Sequence, residues 1–250
     1  MKCFAADLHV HTSLSPCAAR EMTPPGIVAA ARERQLAMLA ICDHNSAGNV
    51  AAVQEAARGM PVVIAGIEIT TTEEVHVVGL FPDLASASSV SDEVGATLPE
   101  APRQQRHATG GEDEQLLLDA YGRVCGREKR LLVAASQLAL GETVRLIHSY
   151  GGLAIAAHAN RPTFSVISQL GMFPGDVQFD AVELFVPAGR RTPGAVALRG
   201  LPDVPVLVTS DSHSLSEIGR VVSRLEMRAA TFNELQLALR GCDGRKCHYA

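Results

Sequence analysis

Residues 6–17 of the chain read ADLHVHTSLSPC, and this stretch decides how the rest of the sequence is interpreted. A short apolar run leads into His9 and His11, which are two residues apart. Residues two apart in a β-strand point to the same face, so the pattern predicts a strand that aims two imidazoles at one place. One cation could hold both, provided that other parts of the chain supply its remaining ligands.

Short apolar runs of the strand type alternate with helical patterns along the chain. The strands are expected at 3–9, 36–42, 61–69, 74–81, 153–158, 179–185 and 204–210, and the helices at 23–35, 46–59, 141–152 and 231–241. Thr23, Ser46 and Thr231 are the expected N-caps. This alternation predicts an α/β fold with a mainly parallel sheet covered by helices, and it is compatible with a closed barrel.

One region, residues 84–130, breaks this alternation because it is polar and contains Gly, Ser and Pro. We interpret it as an inserted segment after the fourth strand, with one short helix and a hairpin around residues 121–128. Such a segment is either a lid or binding loop, or a surface excursion without a role. There is no internal repeat and no clear linker, so residues 1–250 are expected to form a single domain.

Composition narrows the classes of function. The chain has 250 residues, of which 47% are hydrophobic, and its net charge of −5 argues against a dedicated nucleic-acid-binding role. No apolar run is long enough to span a bilayer, so no membrane association is expected. The N-terminus lacks the apolar core of a signal peptide, and the six cysteines are scattered, which favours a cytoplasmic location.

Candidate metal ligands stand at or near the ends of the predicted strands. They are Asp7, His9 and His11, then Asp43 and His44, Glu68, His76, His158, Glu183, and finally Asp211 and His213. In parallel α/β folds, ligands bind beyond the carboxyl ends of the strands, so these residues are expected to converge on one face. The other three histidines, His107, His148 and His248, do not occupy such positions.

A single histidine at a strand end is more often a hydrogen-bonded core residue than a ligand. Six imidazoles buried with Glu68 and Asp211 are a different case, because without a cation they would cost several kcal/mol in unpaired charge and unsatisfied nitrogens. Imidazole with carboxylate suits Zn, Mn or Fe. Two or three such divalent ions match the hydrolysis of phosphate esters.

Six short motifs together resemble the PHP (polymerase and histidinol phosphatase) family of metal-dependent phosphoesterases. They are DLHVHTSLS, CDHNSAGN, GIEI, EVHVVGLF, AHANRP and TSDSH, in that order along the chain. Each is weak alone, but six in register are specific. The resemblance implies a distorted (β/α)7 barrel with a trinuclear metal site at its carboxyl face.

The resemblance also implies how the ligands are shared among the ions. One ion would be held by His9, His11, Glu68 and Asp211, a second by Glu68, His76 and His158, and a third by His44 and His213. Asp7 and Asp43 would orient imidazoles. Many relatives carry an Asp or His shortly after the second histidine, where this chain has Cys17. Either the Cys17 thiolate completes the third site, or Glu21 or water does so.

Arginines near the same face are candidates for binding phosphate. Arg161 follows His158 by three residues, and Arg190 and Arg191 follow the strand that carries Glu183. We favour Arg161 for this role and interpret the other pair as solvated loop residues. Together with Asp211 and His213, Arg161 is expected to be catalytic.

The leading hypothesis is a metal-dependent phosphoesterase that hydrolyses a small phosphorylated metabolite or nucleotide with a metal-activated water. A second hypothesis keeps the site but assigns it to an exonuclease-like phosphodiesterase, against which the acidic composition and the lack of a basic stripe count. A third is a catalytically weak, metal-stabilised domain that works by binding a partner. The sequence does not indicate the oligomeric state.

Overall fold

The computed structural model describes residues 1–101, 114–187, 190 and 201–249. The strands are β1 (Lys2–Val10), β2 (Met38–Ile41), β3 (Val62–Thr70), β4 (His76–Phe81), β5 (Leu116–Leu118), β6 (Val124–Arg127), β7 (Leu153–Ala156), β8 (Ala181–Leu184), β9 (Val206–Val208), β10 (Ser223–Met227) and β11 (Lys246–Tyr249). The helices are α1 (Pro24–Glu33), α2 (Val50–Ala57), α3 (Leu84–Gly95), α4 (Leu140–Ser149), α5 (Val166–Leu170) and α6 (Phe232–Leu239), with 3₁₀ turns at Leu215–Glu217 and Cys242–Gly244. All seven predicted strands and all four predicted helices are present, with shifted ends.

Nine of the described strands form one sheet in the order β11-β10-β1-β2-β3-β4-β7-β8-β9. Strands β1, β2 and β3 are mutually parallel, as are β7, β8 and β9. The two ends of the sheet approach each other. The Cys247 thiol of β11, at one edge, donates a hydrogen bond to the Val206 carbonyl of β9, at the other edge. The result is a nearly closed barrel, which confirms the predicted fold class; the sevenfold βα count stays a prediction.

Strand β4 runs antiparallel to both of its neighbours, β3 and β7. The pattern of a mainly parallel sheet did not predict this reversal. His76 is the first residue of β4, and it pairs with Thr70 at the end of β3. The start of an antiparallel strand lies at the same edge as the ends of its parallel neighbours, so His76 reaches the carboxyl face of the barrel.

A bulge in β1 places the two opening histidines. Asp7 pairs with Leu39 of β2 and Val10 pairs with Ile41, so three steps along β1 match two steps along β2. Before the bulge, Leu8 packs in the same apolar cluster as Met38, whereas Val10 packs on the other side with Ile41. A bulge of this kind re-aims side chains. It therefore turns His9 and His11 together into the end of the barrel.

Helices cover the outside of the sheet, and their caps partly match the sequence. Thr23 caps α1 by accepting a hydrogen bond from the Gly26 amide, and Thr231 caps α6 in the same way. The expectation that Ser46 caps α2 is wrong, because α2 begins only at Val50. The Ser46 hydroxyl instead accepts from the Gly48 amide within the preceding loop.

The segment interpreted as an insertion has two different parts. Its first twelve residues form α3, and Ala87, Val90 and Val94 of this helix are buried in the main apolar core. Strands β5 and β6 follow as the expected hairpin. Residues 102–113 lie outside the described residues. The inserted segment 84–130 and its lid role stay predictions, with α3 packed into the core.

None of the helices in the described ranges is long and apolar enough to cross a membrane. The six cysteines are all free. The cytoplasmic location and the single-domain organisation of residues 1–250 stay predictions.

Candidate metal centre

The side chains expected to converge do meet at the carboxyl face of the barrel. Three groups bring their ligand atoms within 4.8 Å of one another: His9 with His11 and Asp211; His44 with Glu68 and His76; and His11 with His44 and His213. The groups share His11 and His44, so they form one continuous cluster. His158 joins it through Glu68, with its Nε2 atom 3.2 Å from Glu68 Oε1.

Glu68 is the centre of this cluster and is almost fully buried. Its carboxylate oxygens lie 2.9 Å from His44 Nδ1, 2.9 Å from His76 Nδ1, 3.2 Å from His158 Nε2, 3.5 Å from His9 Nε2 and 3.5 Å from His11 Nε2. Burial alone would raise the pKa of Glu68, but the imidazoles of His76, His9 and His44 hold it well below its usual range. Glu68 is therefore an ionised carboxylate whose two oxygens both face imidazoles, so it could serve as a ligand for cations bound there.

Asp211 is the second carboxylate of the cluster. Its Oδ1 atom lies 3.1 Å from His11 Nε2 and 3.5 Å from His9 Nε2, whereas its Oδ2 atom lies 2.6 Å from Arg161 Nη1. Asp211 and His158 have positive φ angles, 47° and 26°. Non-glycine residues rarely adopt such angles, and they concentrate at functional sites. The loops after β7 and β9 thus hold two site residues in strained backbone.

His9 is oriented from behind by Glu183. The Nδ1 atom of His9 lies 2.9 Å from Glu183 Oε2, so Nδ1–H donates to the carboxylate and Nε2 faces the cluster. The other oxygen, Glu183 Oε1, accepts from the His158 amide at 3.1 Å. From the sequence, Glu183 counts among the candidate metal ligands but is assigned to none of the ions. A carboxylate that accepts a hydrogen bond from the ring nitrogen facing away from the metal is a common support for a metal-ligating histidine.

His11 is oriented through a hydroxyl that the sequence analysis missed. Its Nδ1 atom lies 2.8 Å from Ser15 Oγ, and Ser15 Oγ donates to Asp43 Oδ1 at 2.7 Å. Ser15 also accepts from the His44 amide. Asp43 therefore orients an imidazole, as expected, but acts through Ser15. Asp7 does not contact an imidazole through a hydrogen bond; it accepts from Ser210 and Gly219 and so fixes the loop before Asp211.

Cys17 stands at the rim of the cluster. The His44 and His213 imidazoles neighbour its thiol, and the His213 ring stacks on His11 with centroids 4.2 Å apart. Partial burial would raise the pKa of Cys17, but the hydrogen bonds with His213 and His44 lower it to about 6. The thiol thus lies beside the His44 and His213 part of the cluster, and its role as a ligand stays a prediction. Glu21, the alternative, lines the adjoining cleft.

Two buried nitrogens test whether this donor set fits cations. Among the described residues, His158 Nδ1 has no hydrogen-bond partner, and His44 Nδ1 lies 2.9 Å from Glu68 Oε2 without hydrogen-bond geometry. Burial opposes the protonation of His44, but Glu68 and Cys17 raise its pKa to about 10. In the absence of cations, a proton on His44 supplies the positive charge that faces the Glu68 carboxylate. The unpaired nitrogens, the imidazoles and the two carboxylates fit divalent transition metals.

The predicted phosphate-binding arginines differ in placement. Arg161 lies at the rim, where its guanidinium contacts Asp211 and lies over the Phe185 ring at 4.4 Å. Arg190 is exposed, and its amide donates to the Pro187 carbonyl. Arg191 lies outside the described residues. The structure therefore brings Arg161 to the cluster.

The histidines left out of the predicted cluster are engaged elsewhere. His148 pairs with Asp180, and His248 pairs with Glu226. His107 lies outside the described residues.

The sequence matches the family model of the PHP domain over residues 7–168. The chain belongs to the PHP domain family. The predicted class, a metal-dependent hydrolase of phosphate esters, is thereby confirmed at the level of the family. The matched range contains every residue of the cluster except Asp211 and His213, which the fold brings in from β9.

Among curated proteins, this PHP chain is similar to the uncharacterized protein YqxK of Bacillus subtilis (strain 168). The two are 38% identical over 105 residues, which are 40% of this chain and 27% of the relative. The match therefore spans about a quarter of the length of that relative.

Solved structures with the same fold include a lesion-specific endonuclease, endonuclease Q from Pyrococcus furiosus, with a TM-score of 0.69 and 20% identity. The alignment covers 98% of this PHP chain and 58% of the endonuclease. A protein from Bifidobacterium adolescentis described as a metal-dependent phosphoesterase has a TM-score of 0.54 at 21% identity. That alignment covers 83% of this chain and 87% of the other. At these identities the likeness establishes the fold.

One solved structure corrects the expectation about nucleic acids. This structure is endonuclease Q in complex with a 27-mer duplex substrate that has an abasic lesion at the active site. Its TM-score to this chain is 0.68 at 21% identity, and the alignment covers 58% of the endonuclease. The expectation that composition argues against a dedicated nucleic-acid-binding role is therefore wrong. Net charge is summed over the whole surface, whereas duplex binding depends on charge beside the active site.

Proposed function

We propose that the protein hydrolyses phosphodiester bonds in DNA with two or three divalent ions held by the cluster around Glu68. The observation that carries the metal-dependent part is the placement of five imidazoles within 3.5 Å of one buried carboxylate. Bound divalent ions supply activation of water and stabilisation of charge on the phosphoryl oxygens. Zn, Mn and Fe are the ions that this set of imidazoles and carboxylates suits.

The chain's own residues divide the work. His9, His11 and Asp211 would hold one ion, Glu68 with His76 and His158 a second, and His44 with His213 and Cys17 a third. His44 approaches both Glu68 and His11, so it also links the second and third groups. Glu183 and Ser15 fix two imidazoles with Nε2 toward the ions. Arg161 stands where a guanidinium would meet the oxygens of a bound phosphate.

The choice of DNA is supported by the fold likeness to endonuclease Q over 98% of this chain. A cleft of about 530 Å³ adjoins the cluster and is lined by Cys17, Arg20 and His213 among others. A second candidate is a small phosphorylated metabolite or nucleotide, which would use the same metal cluster and draws on the fold likeness to a metal-dependent phosphoesterase. An exonuclease-like action differs from endonucleolytic cleavage only in the position of the bond within the strand.

A substrate panel tests this proposal. Protein stripped of metal and reloaded with Zn, Mn or Fe would be assayed on phosphomonoesters, bis(p-nitrophenyl) phosphate, single-stranded DNA, and duplexes with and without an abasic site. We expect at least two metal equivalents per chain and cleavage of DNA. Cleavage of monoesters alone would support the second candidate.

Glu68→Gln is the matched control, because it keeps the shape of the side chain and removes its charge. We expect it to lose at least one metal equivalent and activity on every ester. Wild-type protein that binds fewer than one equivalent after growth in supplemented medium would overturn the proposal. Full metal content without turnover would instead indicate a metal-stabilised binding domain.

A further inference from the structure

A buried carboxylate holds two exposed arginines beside the metal centre. The Glu114 side chain is 3% exposed, and it contacts Arg20 Nη2 through Oε2 and Arg127 Nη2 through Oε1, the latter at 3.1 Å. The two arginine side chains are 55% and 43% exposed. One negative charge therefore anchors two positive charges that still face solvent.

The hairpin that carries this group is fastened to the metal site. The Leu116 amide donates to the Ser13 carbonyl at 3.1 Å, in the loop that follows His11. Asn49, just before α2, donates to the Leu116 carbonyl and accepts from the Leu118 amide. These hydrogen bonds, one with the backbone of Ser13 and two with the side chain of Asn49, fix β5, and β5 fixes Glu114 two residues before it. The arginine pair is thus held in place before any ligand arrives.

Arg20 also faces the candidate substrate cleft. It lines the same cleft as Cys17 and His213, whose side chains border the metal cluster. Two carboxylates line this cleft as well, Glu21 and Glu217. Glu217 is engaged, because it accepts hydrogen bonds from the amides of His213 and Ser214. The Arg20 guanidinium, 55% exposed, therefore stands in the same cleft as Cys17 and His213, where an anion in the cleft could meet it.

We propose that Arg20 and Arg127, positioned by Glu114, bind a phosphate of the nucleic-acid strand next to the phosphate that is hydrolysed. This rests on the proposed function and adds to it a second phosphate subsite. Arginine forks match phosphate oxygens, and two of them on one rigid support lose little freedom on binding. The subsite gives the protein a preference for strands over esters with a single phosphate.

Binding measurements test the subsite directly. Fluorescence anisotropy of a labelled 20-nucleotide strand would be followed with metal-loaded wild type, Arg20→Ala, Arg127→Ala and Arg20→Lys over a series of salt concentrations. We expect Arg20→Ala and Arg127→Ala each to weaken binding about tenfold and to reduce the salt slope by about one. Arg20→Lys keeps the charge but not the fork, so its loss is expected to be smaller.

Arg123→Ala is the matched control, since Arg123 lies on the same hairpin, is exposed and pairs with Asp119 outside the cleft. We expect its affinity to stay within twofold of wild type. Equal losses in Arg20→Ala and Arg123→Ala would show a diffuse charge effect and overturn the subsite. Failure of the wild type to bind the strand would overturn it as well.

Kinetics separate the subsite from the proposed function. On bis(p-nitrophenyl) phosphate, which has one phosphate, the control Arg123→Ala should match wild type, and Arg20→Ala should lose less than it does on the strand, where its KM should rise about tenfold. An equal loss on both substrates would assign Arg20 to the metal site and overturn the subsite. Wild type that binds the strand through Arg20 but cleaves no ester would contradict only the proposed function.

Discussion

Arg161 and Asp211 form an ion pair at the rim of the metal cluster, with Arg161 Nη1 2.6 Å from Asp211 Oδ2. The sequence suggested that Arg161 meets the substrate phosphate and ligates nothing. The structure gives it a second task, because it holds the carboxylate whose other oxygen approaches His9 and His11. Arg161 therefore links the phosphate side of the site to a predicted metal ligand.

Removal of Arg161 should affect both catalysis and metal binding. Arg161→Ala is expected to lower kcat/KM on phosphate esters ten- to a hundredfold, since a charge-assisted contact is worth about 1.5–3 kcal/mol. It should also weaken metal binding, because Asp211 loses the partner that fixes its orientation. Steady-state kinetics and chelator competition measure the two effects. Arg190→Ala serves as control, and a loss there with none in Arg161→Ala would move the phosphate contact to Arg190.

Ser15 gives a sharper test of how the imidazoles are oriented. Ser15→Ala removes the acceptor of His11 Nδ1–H and breaks the connection to Asp43, so metal affinity should fall ten- to a hundredfold. Ser13→Ala is a close control, because the Ser13 hydroxyl is buried and has no hydrogen-bond partner among the described residues. Chelator competition compares the two variants. Similar affinities in both would mean that Ser15 does not support the site.

The convergence of the ligands could be predicted because it follows from local signals. Each of Glu68, His158 and Asp211 comes at or just after an apolar strand, and parallel strands end at one edge. The supports could not be predicted in this way, because Glu183 lies 174 residues from His9 and no local pattern links them. The bulge in β1 is also invisible locally, since it depends on pairing with β2.

The errors have a similar origin. Helix α3 was assigned to an inserted segment, which stays a prediction, because residues 84–130 are polar and contain Gly, Ser and Pro, and its burial in the core was not expected. Its buried residues are nevertheless spaced as one helical face, Ala87, Val90, Ser91 and Val94. Composition outweighed periodicity in that interpretation. Net charge misled in the same manner, because a sum over the chain does not reveal where on the surface the charges lie.

A pair far from the site makes the stability of the fold depend on pH. Arg245 donates two hydrogen bonds to Glu234, at 2.8 and 2.7 Å, and lowers the pKa of Glu234 to about 2, with help from the Arg228 amide. A carboxyl whose pKa is depressed on folding stabilises the fold above its unfolded pKa, about 4.5. That stabilisation should be lost as pH falls from about 4.5 toward 2.

Glu234→Gln is therefore expected to lower the urea midpoint at pH 7, with the difference from wild type shrinking between pH 4.5 and pH 3. Glu33→Gln, an exposed change on α1, should leave the midpoint unchanged at each pH. Urea denaturation at several pH values measures this. A difference for Glu234→Gln that stays constant down to pH 3 would contradict the role given to the ion pair.

Cys17 provides the test that bears most directly on the opening stretch of sequence. Because its pKa is lowered to about 6, the metal-free protein should carry a Cys17 thiolate at pH 7 and react readily with iodoacetamide. The rate should rise between about pH 5 and pH 7 and then level off, and bound Zn should protect the thiol. Peptide mapping by mass spectrometry distinguishes Cys17 from Cys125, an exposed cysteine on the hairpin that serves as internal control.

Cys17→Ser should retain the ions at Glu68 and Asp211 and bind the third equivalent more weakly. Labelling of Cys17 at the same rate with and without Zn, together with full metal content in Cys17→Ser, would show that the thiol is a bystander and that Glu21 or water completes the third site.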